Sequence, residues 1–130
     1  MKPVDSETLK TIAESVKVCQ DAARLKLNAV LDLNEASILK LDALISSAWP
    51  SGVPSPSTMQ VFGSYLGEAM RTEFSGAWVQ TPGGLGVAVN GVVAHPFNKI
   101  EKRFRSGMAE SISFFYTAFK SAALAANGRT

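Results

Sequence analysis

Between Ser6 and Leu27 apolar residues recur every three or four positions, at Leu9, Ile12, Ala13, Val16, Cys19 and Ala23, the spacing of one helix face. Asp5 or Ser6 stands where an N-cap belongs. A second helical stripe follows at Ile38, Leu41, Ile45 and Trp49. It is opened by Asn34, with Leu33 and Ile38 at the spacing of a hydrophobic staple, and is stopped by Pro50. Asp42 falls inside that stripe, where a carboxylate needs a partner. The Pro/Ser/Gly-rich stretch from Pro50 to Pro56 is a stiff surface connection, too short to separate domains.

Ser57 and Gln60 have the spacing of a capping box, and Met59, Phe62, Leu66 and Met70 then mark the apolar face of a third helix. Tyr65, Glu68, Arg71 and Thr72 fall on its less apolar side. Gly63 and Gly67, four residues apart, are costly within a helix and point to close approach of a neighbouring element. At Ser75-Gly76 the period shortens toward two. Ala77 to Thr81 and Leu85 to Val89 read as strands, and Asn90-Gly91 predicts a type I′ hairpin that returns Val92 to His95 on Leu85 to Val89. After Pro96 the helical period resumes at Phe97, Ile100 and Phe104 up to Gly107. It continues from about Met108 through Ile112, Phe115 and Phe119 to a stop at Asn127-Gly128. The predicted fold is α+β: three N-terminal helices, a three-stranded antiparallel meander, and two C-terminal helices on one face of the sheet.

Three stretches, LDLNEASILKLDALI, YLGEAMRTEFSGAWV and HPFNKIEKRFRSG with SISFFY after it, together resemble a family of small bacterial domains of unknown function. The residues that carry the resemblance are Leu41 and Asp42, Tyr65 to Glu68, Gly76, Trp78 and Val79, and Pro96, Phe97, Lys99 and Ile100. It covers residues 28–130 and leaves the first helix, 1–27, outside, within one domain spanning 1–130. The resemblance implies a common fold and a shared structural or binding role for Asp42, Tyr65, Glu68, Trp78 and Lys99, with no assigned activity.

Composition narrows the function. Thirteen basic and eleven acidic residues give a net charge of +2, too even for the field of a nucleic-acid binder. The single cysteine, Cys19, rules out a disulfide within the chain and fits a cytoplasmic setting. No apolar run nears the roughly 20 residues that span a bilayer, the first residues lack a signal-peptide core, and no membrane partner is expected. Gly83-Gly84-Leu85-Gly86 lacks the Lys-Ser/Thr and the helix of a phosphate loop, and the lone His95 has no partners at metal-ligand spacing, so neither cofactor nor metal is predicted.

With no nucleophile–base pair in view, the expected function is that of a non-enzymatic protein-binding or inhibitory module. Lys99, Lys102, Arg103 and Arg105, on one short helix, are the predicted contact surface for an acidic protein. The aromatic excess of the last helix, which includes Phe114 and Tyr116, also suits a homodimer. The alternatives are a small hydrolase built from Glu68, Asp42 and His95, or a structural or assembly role. Trp78 is the predicted core anchor where helix gives way to strand.

Overall fold

The computed structural model describes residues 1–49 and 52–127. Pro50, Ser51 and Gly128, read above as helix stops and linker, lie outside them. The first strand, β1 (Lys2–Pro3), precedes α1 (Ser6–Leu27), α2 (Glu35–Ala48) and α3 (Pro56–Glu73). Strands β2 (Ala77–Thr81), β3 (Gly84–Val89) and β4 (Val92–Ala94) follow, then α4 (Pro96–Ser106), a 3-10 turn (Gly107–Glu110) and α5 (Ile112–Asn127). The class is α+β, and no described helix is long and apolar enough to cross a membrane.

The caps explain most of the boundaries. Asp5 accepts the Thr8 N–H at 2.8 Å to open α1, and Asn28, in the left-handed region, ends it. Asn34 and Ser37 form a reciprocal capping box at the start of α2. The cap of α3 is Ser55, not Ser57: Pro56 lacks an N–H and its fixed φ suits the first helical position, so the helix begins two residues earlier than the Ser57/Gln60 spacing suggests. The last helix starts at Ile112 rather than near Met108, because a 3-10 turn and an extended Ser111 intervene.

The sheet has four antiparallel strands in the order β1-β2-β3-β4, not three. The added strand pairs Lys2 with Gln80 and Pro3 with Val79; two residues are too few to show a period of two. The meander itself follows the expected register, with Val89 opposite Val92 across Asn90 and Gly91, both at positive φ. Cross-strand partners share a face, so Trp78, Val87 and Ala94 turn inward while Ala77, Ala88 and Val93 form the outer face.

Helix α3 is the centre of the molecule, packed by α1, α4 and strands β2 and β3. Phe62 to Gly67, Ala69 and Met70 are all buried, so its middle turns have no polar side, and Tyr65, predicted there, is fully enclosed. The two glycines are where neighbours come closest: a Cβ on Gly63 would run into the Phe97 ring, and one on Gly67 into Trp78 and Pro96. Helix α1, outside the resemblance, is nonetheless part of the core through Ile12, Val16, Cys19 and Ala23, although Leu9 and Ala13 of its predicted stripe are exposed.

Candidate functional site

Asp42 and Arg103 come from helices 61 residues apart in sequence and meet in the interior, with Arg103 Nε 2.8 Å from Asp42 Oδ1 and both side chains about 95% buried. The rest of the carboxylate is taken up by the first residues of α5. Asp42 Oδ1 accepts the Ile112 N–H, and Oδ2 accepts the Ser113 N–H and the hydroxyls of Ser111 and Ser113. Arg103 also donates to the Ser46 hydroxyl and the Asp42 carbonyl. Burial, the largest single influence, pushes the Asp42 carboxyl up, but Arg103, the Ser113 N–H and the two hydroxyls together hold it below its ordinary value. Asp42 is thus a fully satisfied anion that caps α5 from another helix.

The other candidate polar residues are engaged elsewhere. Glu68 receives Arg71 in a two-pronged pair (2.6 and 2.8 Å) and the Trp78 indole N–H at 3.0 Å. Burial again acts upward, and Arg71 with Trp78 brings the carboxyl below its usual range. The Tyr65 hydroxyl donates to Ser37 Oγ at 2.7 Å and accepts the Leu33 N–H, tying α3 to the start of α2, and its pKa is raised chiefly by burial. His95 meets Thr81 Oγ1 at 3.0 Å beside the β2–β3 turn. Asp42, Glu68 and His95 therefore occupy three neighbourhoods with different partners, and Asp42 and Glu68 line different grooves. Cys19 is fully enclosed and its thiol is pushed up to about 12 by burial, so it is a protonated core residue at neutral pH. Among the described residues, no group of three His, Cys, Asp or Glu side chains could hold a metal ion.

The four basic residues of α4 do not make one surface. Arg103 points into the core because Asp42 supplies the counter-charge that its burial requires. Lys99 turns to Glu110 at 3.3 Å and stands over the Phe115 ring, and Arg105 pairs with Glu101 one turn away. Of the four, only Lys102 is exposed outside such a pair. The residues that carry the family resemblance are likewise occupied in the scaffold: Trp78 lies against Gly67 and the Phe97 ring, and Leu41, Leu66 and Ile100 are fully buried.

The unsatisfied surface lies elsewhere, where α2 and α5 run side by side over the Asp42 network. Phe114 is 77% exposed, Leu39 63% and Met108 58%. They border a groove of about 580 Å³ whose smaller walls are Ala43, Ser46 and Thr117. The outward positions of α5 are Phe114, Thr117, Ala118, Ser121, Ala122, Leu124 and Ala125, none of them charged. The one charged residue of α5, Lys120, is drawn to Glu35 at 3.3 Å. On α2 the exposed positions are Ala36, Leu39, Lys40, Ala43, Ser46 and Ser47, and Lys40 donates to the Val30 carbonyl. Solvated helix faces are ordinarily rich in charge, and on this one Lys40 is the single charged residue among the exposed positions of two helices, the rest being apolar or small hydroxyl side chains. A second groove, of about 470 Å³ between α1, α3 and α4, has an apolar floor at Ile12, Met59 and Phe97 but a rim of threonine, glutamine, asparagine and Glu101.

The sequence placed Phe114 beside the buried stripe, within an aromatic excess that suits a dimer surface, without marking it as the exposed residue. Its signal was available in the letters: from Ile112 to Asn127 one charge interrupts sixteen residues, too few for a helix with a wetted side. Compared with protein-family models, curated proteins and solved structures, the chain matches none.

Proposed function

We propose that the chain is a non-catalytic protein-binding module that meets its partner through the α2–α5 face. The observation that carries this reading is Phe114 at 77% exposure, standing with Leu39 and Met108 over a mainly apolar groove whose one charged lining residue, Asp42, is neutralised by Arg103. Aromatic side chains of this kind anchor protein interfaces, and fully covering one such ring contributes about 1.5–3 kcal/mol of apolar burial. The groove is wide and open to solvent along two helices, as a surface that receives a protein side chain must be. The carboxylates and the histidine that a hydrolase would draw on are each held by scaffold contacts in separate places. An acidic partner guided by four basic residues of α4 is not part of this proposal, since Arg103 is interior and Lys99 and Arg105 are paired.

The test is affinity capture from the native cells with the wild-type chain, Phe114→Glu and, as a surface control, Lys102→Glu. Wild type and Lys102→Glu are expected to retain the same protein, and Phe114→Glu to lose it. Equal retention by all three, or none by any, contradicts the reading.

A further inference from the structure

We infer that the occupant of the α2–α5 face is a second copy of this chain, joined in a two-fold dimer; this rests on the reading of that face as a contact surface. A two-fold interface uses the same patch on both copies, so the patch must hold both the projecting side chain and the recess that receives it. This one does. Phe114 projects from the first turn of α5, and the groove beside it is walled by Ala43, Ser46 and Thr117, whose small side chains leave room for an aromatic ring. One rotation then seats each Phe114 in the other copy's groove.

Charge favours a second copy over an unrelated partner. A patch meeting itself brings identical charges toward each other, which is tolerable only if the patch carries none or has them neutralised internally. The charges that border this face are neutralised: Asp42 by Arg103, Glu35 by Lys120 and Arg105 by Glu101. Lys40, at the edge, donates to the Val30 carbonyl and is the one exposed charge of the face without a carboxylate beside it, so it must stay at the rim of the contact. Beyond Lys40, the face offers no uncompensated charge among the described residues by which a different protein would be steered or selected.

The dimensions set the strength. Helices of 14 and 16 residues, lying side by side, offer a footprint of about 20 by 20 Å, or roughly 400 Å² before its corrugation is counted. A stable interface covers about 800 Å² on each partner, so the dimer belongs to the weak, concentration-dependent class.

Sedimentation velocity over about 10 µM to about 1 mM brackets the affinity of an interface this small. The mean mass of the wild-type chain is expected to climb from 13.8 kDa toward twice that value. Phe114→Glu and Ala43→Lys are each expected to stay monomeric, and their circular dichroism to match wild type, because both positions are exposed. Mixing the two variants should restore a heterodimer, with one Glu–Lys pair and one native Phe114 contact. Phe114→Asp and Ala43→Arg serve in place of Phe114→Glu and Ala43→Lys if either fails to fold. A wild-type mass fixed at 13.8 kDa throughout overturns the dimer, as does wild-type-like association of Phe114→Glu or a mixture that remains monomeric. Should wild type stay monomeric yet still capture a protein that Phe114→Glu loses, the second copy is excluded and the binding module stands; failure of both removes both.

Discussion

Replacing Asp42 with asparagine tests whether one carboxylate holds three helices together. Five donors converge on it: the Arg103 guanidinium, the N–H groups of Ile112 and Ser113, and the hydroxyls of Ser111 and Ser113. An amide has a single oxygen, so whichever way Asn is turned its NH2 group faces donors, and Arg103, 4% exposed, keeps an unpaired charge. Breaking a buried pair in this way costs about 3–5 kcal/mol. For a domain of this size that corresponds to a fall in melting temperature of roughly 10–20 °C. Arg103→Met should cost less, because Asp42 retains the four donors from Ser111 to Ser113. The telling variant is Asp42→Leu with Arg103→Met. Swapping a self-contained buried ion pair for apolar residues is often neutral, but here it strands the Ile112 and Ser113 N–H groups, at about 1–3 kcal/mol each. Urea unfolding followed by circular dichroism reads all three. A double variant as stable as wild type would show that Asp42 is merely the partner of Arg103 and not the cap of α5, and Asp42→Asn within about 1 kcal/mol of wild type would refute the account of the site altogether.

The Asp42 and Glu68 carboxyls are both held below their ordinary values in the folded chain. The unfolded chain therefore takes up protons first as pH falls, so their stabilisation is complete above about pH 4–5 and is lost as pH drops through the depressed folded values. Urea midpoints between acidic and neutral pH should show a shallower acid limb in Asp42→Asn and Glu68→Gln than in wild type, and parallel limbs would contradict it. Trp78→Ala, which empties the site beside Gly67 and frees Glu68, should lower stability by about 3–5 kcal/mol. Gly67→Ala, whose Cβ would enter the Trp78 ring and Pro96, should cost about 1–3 kcal/mol. If the thermal midpoint of Gly67→Ala is unchanged, α3 and β2 are not in the close contact described.

The hairpin was legible because its two requirements are local: positive φ at Asn90 and Gly91, and valines alternating on either side. Helices α1, α2 and α4 were legible for the same reason: a cap residue opens each of the first two and Pro96 opens the third, and one dominant period follows. Asp42 could be singled out as a buried carboxylate needing a partner, but the partner could not, because Arg103 lies among three other basic residues on a short helix and only the tertiary fold decides which turns inward. The same limit hid the Trp78–Glu68 bond and the enclosure of Tyr65, since α3 has a wetted side by pattern but neighbours all round in space. Strand β1, at two residues, spans a single period and so shows no repeat. Missing charge was the overlooked signal. A sequence scan rewards residues that are present, while the α2–α5 face is marked by how few charges it carries: Lys40 on α2, and Lys120 on α5 paired with Glu35.

That face can be tested without naming its occupant. Amide resonances of the isotope-labelled chain, recorded in dilute buffer and again in a concentrated extract of its own cells, report which residues are covered. Selective broadening is expected for the exposed positions of α2 from Leu39 to Ser47, for Met108, and for α5 from Phe114 to Ala125, with recovery in Phe114→Glu. Broadening centred on the outer sheet face around Ala77, Val79 and Val93, or on Lys102, or spread evenly over the chain, would contradict the α2–α5 surface as the contact site.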